Sequence, residues 1–267
     1  MTLKTGLAAA LVAAVVAALV TAATLLVVWR TAPGAVDGPG AALDEKAIVD
    51  VVRDYLTKNP EILVEMTTEL DKRQQAAESE KQQKVIGDNA DSIFRSPLSY
   101  TAGNPKGDVT VVEFFDYNCG FCRRALPDVV KLVDTDDKVR VVFKELPIFG
   151  EESEWAAKAA LAAGKQGKYF EMHQKLYTAP GKADKDKALR VASELGLDVP
   201  QLEKDMEDPS ITKALEETKE LAQKLGVQGT PLYLIGDRIV PGAPEDLYDQ
   251  LVAKVAEVRE NGCKATC

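Results

Sequence analysis

Residues 109–143 run VTVVEFFDYNCGFCRRALPDVVKLVDTDDKVRVVF. The first seven are β-branched and aromatic with one acid inside, the composition of a buried strand. Residues 119–133 then read as a helix, and residues 139–143 (VRVVF) as a second strand. Strand, helix and strand within about 35 residues make a βαβ unit and hence a parallel pair. At the first junction sits Cys119-Gly120-Phe121-Cys122. A thiol in the first helical turn faces unpaired N–H groups and the positive end of the helix dipole, and both favour thiolate. Cys119 is therefore expected to be the attacking, partly exposed sulfur, and Cys122 the resolving one. Arg123 and Arg124 add positive charge beside them. The rival reading is a structural zinc site, which needs four ligands and would have to recruit Cys263 and Cys267.

Two charged residues flank this pair. Glu113, six residues before Cys119, falls inside the strand expected to be central, where a carboxylate is costly unless paired or exchanging protons. It reads either as a proton reservoir beneath the disulfide or as a side chain on a solvated edge. Lys144 closes the second strand and is its expected partner. Further on, Thr230-Pro231 opens a returning strand after Gly229, a position where proline is tolerated. A cis bond there would leave a peptide edge open for an extended substrate.

Outward from this centre, residues 152–222 carry no strand pattern and read as several helices inserted between two halves of one sheet domain. The insertion spans about residues 150–222. Strands return at 232–235 and near Ile239-Val240, and a helix over 244–260 precedes a tail, 261–267, that holds Cys263 and Cys267. A local disulfide is the leading reading of that tail; a shuttle pair, an intermolecular bridge or a metal contact are the others. His173, within YFEMHQKLY, reads as a core or surface residue, and Trp155 as packing.

On the other side, residues 43–97 read as a helical stalk. Asp44 is the expected N-cap, and Ile48, Val51, Val52, Tyr55 and Leu56 recur at helical spacing until Asn59-Pro60 interrupts them. A second helix begins at Pro60 with Ile62, Leu63, Met66 and Leu70 on one side. Residues 71–84 are almost wholly polar. So thin an apolar seam cannot make a core alone. It is either an oligomerisation segment or a solvated spacer. Residues 31–42 are a Gly/Pro/Ala linker, and residues 7–29 form an uncharged stretch of about 23 residues, enough to cross a bilayer. Residues 1–30 are thus read as a transmembrane signal-anchor, with a cleaved signal peptide as the alternative. Either exports the rest to the periplasm or cell envelope, where a cysteine pair can cycle.

With 42 acidic against 33 basic residues and a net charge of -9, the balance argues against a phosphate-binding surface, so nucleic acid is not an expected partner. One histidine excludes multi-histidine metal sites.

VVEFFDYNCGFC, VVFKELPIFG, YFEMHQKLY and GVQGTPLYLIGDRIVPGA together resemble the DsbA family of exported thiol-disulfide oxidoreductases over roughly residues 98–258. The resemblance implies an α/β thioredoxin fold with a helical insertion. It implies Cys119 as nucleophile, Cys122 as resolver, Glu113 and Lys144 as a buried charged pair, and Pro231 as a cis proline preceded by Thr230. Gly120 and Phe121 join Thr230 and Pro231 as residues expected to meet substrate. The helical segment before residue 98 resembles the ScsC branch, whose members can oligomerise through such a stalk. Gly-Phe stands between the cysteines where the typical oxidase has Pro-His, and Thr before the proline is more typical of isomerases. Together these point to a disulfide isomerase or reductase, with a dithiol oxidase as the alternative and a copper- or zinc-binding protein as the rival of a different class. Expected partners are exported cysteine-containing proteins, a membrane thiol-disulfide reductase or oxidase, and further copies of the chain joined through residues 44–94. No cofactor and no metal is called for.

Overall fold

The computed structural model describes Thr21 and residues 44–263. The expected anchor or signal, the linker and Cys267 lie outside the described residues, apart from Thr21. Among those described, no helix is long and apolar enough to cross a membrane. The chain divides into two compact units, residues 1–72 and 73–267.

In the first unit, α1 (Glu45–Lys58) starts where expected, with the Asp44 carboxylate accepting the Lys46 N–H at 3.2 Å. It stops at Asn59, ahead of Pro60, and α2 (Glu61–Asp88) follows. None of the residues of α1 is buried.

The second unit is built on a five-stranded sheet: β1 (Tyr100–Gly103), β2 (Val109–Phe115), β3 (Val139–Glu145), β4 (Leu232–Ile235) and β5 (Arg238–Pro241), in the order β1-β3-β2-β4-β5. Only β2 and β3 run parallel, as the βαβ reading requires, joined by α4 (Gly120–Thr135). The edge strand β1 was not anticipated; it pairs antiparallel to β3. Side chains alternate across β2. Val111 and Phe115 enter one core with α4 and the inserted helices α5 (Glu151–Lys165), α6 (Tyr169–Thr178), α7 (Lys185–Glu194) and α8 (Val199–Met206). Val112 and Phe114 enter a second core with α9 (Pro209–Leu225). The last helix, α10 (Leu247–Asn261), packs on the first side.

The second core also takes Ile86 from the end of α2, and Ala90, Ile93 and Phe94 from α3 (Ala90–Phe94). These residues fall in the segment read as stalk. Their apolar side chains cover the far side of the sheet, so the stretch from Ile86 to Phe94 is part of the sheet domain's core.

Candidate active site

The site forms where β2 ends. Asp116, Tyr117 and Asn118 make the turn, and Cys119 is the N-cap of α4. Both thiols are free. Cys119 is 3% exposed and Cys122 fully buried, so the nucleophile is more covered than expected. The cover comes from the Thr230–Pro231 segment, whose peptide bond is cis. The Cys119 thiol donates to the Thr230 carbonyl at 3.1 Å.

The two sulfurs are electrostatically unlike. The Cys119 thiol is lowered from 9.0 to about 5, chiefly by a hydrogen bond from Cys122. The Thr230 side chain and the backbone N–H groups of Cys122 and Phe121 help, against the opposing effect of burial. The Thr230 hydroxyl has no other hydrogen-bond partner among the described residues, which leaves it to serve a thiolate. Burial pushes the Cys122 thiol far up, reinforced by its hydrogen bond to Cys119 and by the nearby Glu113 charge. Arg124 donates to the Ala243 carbonyl at 2.6 Å and lies over the Phe121 ring, 4.8 Å from its centroid. Phe121, 56% exposed, forms with Arg124, Gly229, Thr230, Pro231 and Pro241 the walls of an open groove of about 760 Å³. Gly120 is exposed at the helix start, where an added Cβ would meet nothing within 4 Å.

Glu113 lies on the cysteine side of the sheet, 2% exposed, and its Oε1 accepts the Tyr233 hydroxyl at 3.0 Å. Burial raises it from 4.5 to about 8, against that hydrogen bond. Lys144 is not its partner. Glu113 pairs in register with Phe143, whereas Lys144 pairs with Phe114 and therefore points to the opposite face. There it donates to the Ser92 carbonyl at 2.5 Å and approaches Glu217 at 3.6 Å. Burial lowers the amine to about 8, opposed by Glu217.

Three features escaped the sequence reading. Asp116, buried, accepts four hydrogen bonds: from the N–H of Asn118, the Ser153 hydroxyl, and the N–H groups of Ile148 and Phe149. Asn118 bonds to Ser153 and Ala183. Glu145, buried on the Glu113 side, accepts from Tyr117 at 3.1 Å and Tyr169 at 2.7 Å. Tyr117 in turn lies 3.2 Å from the Nδ1 of His173, which is buried and held neutral, its pKa lowered to about 3 by burial. The tripeptide DYN before Cys119 was the available signal, since three polar residues at a strand-to-helix turn imply side-chain bonds to backbone. Cys263 is disulfide-bonded. Among the described residues, no three His, Cys, Asp or Glu side chains converge to hold a metal.

A five-stranded sheet with one parallel pair, a CxxC at a helix start, a cis proline against it and a helical insertion defines a thioredoxin-fold thiol-disulfide oxidoreductase domain. The chain belongs to the DSBA-like thioredoxin domain family, whose model matches residues 110–255, and residues 44–77 match the copper resistance protein ScsC N-terminal domain. It is 50% identical to a thioredoxin-like oxidoreductase from Silicibacter pomeroyi, with a TM-score of 0.62 over 64% of this chain and 98% of that one. Proteus mirabilis ScsC in a compact conformation is 31% identical, with a TM-score of 0.61 over 82% of this chain and 100% of that one. A curated Na(+)/H(+) antiporter NhaA 1 of Salinispora arenicola is 31% identical over 141 residues, 52% of this chain but 22% of that protein. The chain thus spans about a fifth of the length of that relative.

Proposed function

We propose that this chain is an exported thiol-disulfide oxidoreductase of the periplasm or cell envelope that reduces or isomerises disulfides in client proteins. The carrying observation is the polarised pair: a Cys119 thiol lowered to about 5 beside cis Pro231, backed by a buried Cys122 held as thiol. The Cys119 thiolate attacks one sulfur of a client disulfide, forming a mixed disulfide and releasing the other client sulfur as thiolate. In isomerisation, a client thiolate then attacks the Cys119-bound client sulfur, re-forming a client disulfide and returning Cys119 as thiolate. In reduction, Glu113 in its deprotonated fraction takes the Cys122 proton as Cys122 attacks the Cys119 sulfur and passes it to the departing client sulfur; the client leaves as thiol, Glu113 is regenerated and Cys119–Cys122 is oxidised. A membrane thiol-disulfide partner then restores the dithiol. Phe121, Thr230 and Pro231 line the groove that takes an extended client segment, with Gly120 at its edge. Lys144, on the other face, holds structure rather than chemistry. Residues 44–72 join copies of the chain, and residues 1–30 supply the anchor or the signal.

One observation favours the oxidase direction. A thiol held near pKa 5 stabilises the reduced form at neutral pH and so makes the disulfide a stronger oxidant. Glutathione equilibration of Cys119–Cys122, with Cys263 and Cys267 changed to Ser, separates the two. A potential near or below the glutathione poise, together with reactivation of a scrambled-disulfide substrate, is the expected outcome. A potential well above that poise, with faster oxidation of a reduced substrate than rearrangement of a scrambled one, would establish the oxidase.

A further inference from the structure

The turn that carries the nucleophile is gripped by the helical insertion rather than by the sheet. Asn118, the residue before Cys119, uses its whole side-chain amide on that insertion. Its Nδ2 donates to the Ser153 hydroxyl of α5 at 2.9 Å and to the Ala183 carbonyl at 2.9 Å. Its Oδ1 accepts the Ala183 N–H at 2.8 Å, so one side chain pairs with both backbone groups of a single residue, as a neighbouring strand would. Ser153 is shared: its hydroxyl donates to Asp116 Oδ1 at 2.8 Å, and the same oxygen accepts the Asn118 N–H at 2.6 Å. The Asp116 carbonyl accepts the Cys119 N–H at 3.1 Å and the Tyr177 hydroxyl of α6 at 3.1 Å.

The far end of this grip is itself hydrogen-bonded to the insertion. Ala183 lies in the loop between α6 and α7. Lys187, buried on α7, donates to the carbonyls of Ala179 and Gly181 in that loop, at 2.6 Å and 3.0 Å. Asp184 caps α7 by accepting the Lys187 N–H at 2.8 Å. The loop is tied to α7 at 179, 181 and 184, and Asn118 is the side chain that ties it at 183 to the residue before Cys119.

This matters because the thiolate's stabilisers are directional. The Phe121 and Cys122 N–H groups and the Thr230 side chain serve the sulfur only while the Cys119 side chain leaves the N-cap position along its present line. Residues 116–119 form a turn closed by the bond from the Cys119 N–H to the Asp116 carbonyl, and the Asn118 side chain is what ties that turn to the insertion. We infer that Asn118 is a positioning residue, through which the helical insertion aims the Cys119 sulfur at its hydrogen-bond donors and sets how much of it is thiolate. This rests on the thiol-disulfide reading above and adds a role for the insertion: it tunes the nucleophile as well as covering it.

The test measures the rate of Cys119 alkylation by iodoacetamide against pH in the reduced full chain, with Cys263 and Cys267 changed to Ser. Asn118→Ala and Ser153→Ala are compared with Ser153→Thr, which keeps the hydroxyl. Arg259→Ala is the control: it removes the bonds of α10 to Asp108 and Asp136, distant in role from the thiol, and destabilises without touching this turn. In Asn118→Ala the alkylation midpoint is expected to rise by about one unit or more, which is about tenfold less thiolate at pH below the midpoint. Ser153→Ala shifts it the same way and less, Ser153→Thr restores it, and Arg259→Ala leaves it in place. Midpoints equal to that of the parent chain in both Asn118→Ala and Ser153→Ala would overturn the inference, as would an equal rise in Arg259→Ala. If Asn118→Ala fails to fold, the Ser153 pair decides alone. Exchange of the parent chain with a small-molecule disulfide is followed in parallel: absence of exchange with a midpoint near 9 removes the functional reading as well, whereas rapid exchange with unmoved variants removes only this one.

Discussion

At the scale of single residues, Glu113 is the most consequential group that is not a sulfur. It sits in the middle of the central strand, and its Oε1 has the Tyr233 hydroxyl while its Oε2 has no partner. Burial holds its pKa near 8 in the folded chain, against 4.5 ordinarily. The consequence for stability has a definite sign. Below about pH 4.5 both folded and unfolded chains hold this proton and Glu113 is neutral in effect. Between about 4.5 and 8 the unfolded chain loses the proton while the folded chain keeps it, so folding is progressively penalised, and above about 8 the penalty is complete. Glu113→Gln keeps the shape and the Tyr233 bond but removes the titration. It is expected to raise stability to urea at pH 8 by on the order of 2–4 kcal/mol, and the gain should vanish at pH 4. It should also slow resolution of mixed disulfides, because Cys122 loses its proton acceptor. A gain independent of pH would mean that Glu113 is not held protonated. The sequence revealed Glu113 because an acid among β-branched residues is conspicuous. It could not reveal that Lys144 is on the other face, since that depends on which residue of β3 pairs with Glu113. One step of register separates Phe143 from Lys144, and one step moves a side chain across the sheet. Glu145, which does share the Glu113 side, was hidden by the same ignorance.

At the scale of elements, the βαβ unit, the insertion and the final helix were legible because each has a strong period or a strong propensity of its own. The boundary between stalk and sheet domain was not. Residues 71–84 are so polar that the helix containing them reads as solvated throughout, and only Val85, Ile86, Ile93 and Phe94 hint that it returns to a core. The structure supplies the reason for the return. β3 presents two cations on its far side, and α3 answers with backbone carbonyls: Lys144 donates to Ser92 and Arg140 to Phe94, the latter at 2.6 Å. A carbonyl is an acceptor that no side-chain pattern advertises, so this docking was invisible from sequence. Phe94, 1% exposed, fills the second core beside Val112, Phe114 and Val142. Phe94→Ala is expected to destabilise the sheet domain by about 3–5 kcal/mol in denaturant unfolding monitored at Trp155. A spacer residue outside the core would give less than about 0.5 kcal/mol, and that result would return residues 85–94 to the stalk.

At the scale of the whole molecule, burial is distributed unevenly. The second unit hides apolar side chains in two cores, whereas residues 44–72, the described stretch of the first unit, bury none. Ile48, Val49, Val51, Val52, Tyr55, Leu56, Leu63, Val64, Met66 and Leu70 are all at least 43% exposed in the single chain. Six of them (Ile48, Val49, Val52, Leu56, Leu63 and Met66) line a groove of about 620 Å³ at the α1–α2 joint. Scattered apolar side chains on a surface need no explanation, but a contiguous face along two successive helices is the mark of an interface. Its helices carry i,i+4 ion pairs such as Lys58–Asp54, and among the described residues of its own unit nothing buries it. A second copy of the same segment offers a matching face at no cost in new sequence, and it would bring several Cys119 sites around one client. The full chain is therefore expected to associate in solution through residues 44–72. Val52→Glu with Leu63→Glu, both on the exposed face, should reduce the mass measured by light scattering to that of one chain. The unfolding midpoint and the Cys119 alkylation profile of the sheet domain should be unchanged. Rearrangement of a scrambled substrate should fall while reduction of a small-molecule disulfide persists. If the parent chain already has the mass of one copy, or the double variant keeps the parent mass, the apolar face serves something other than a second copy.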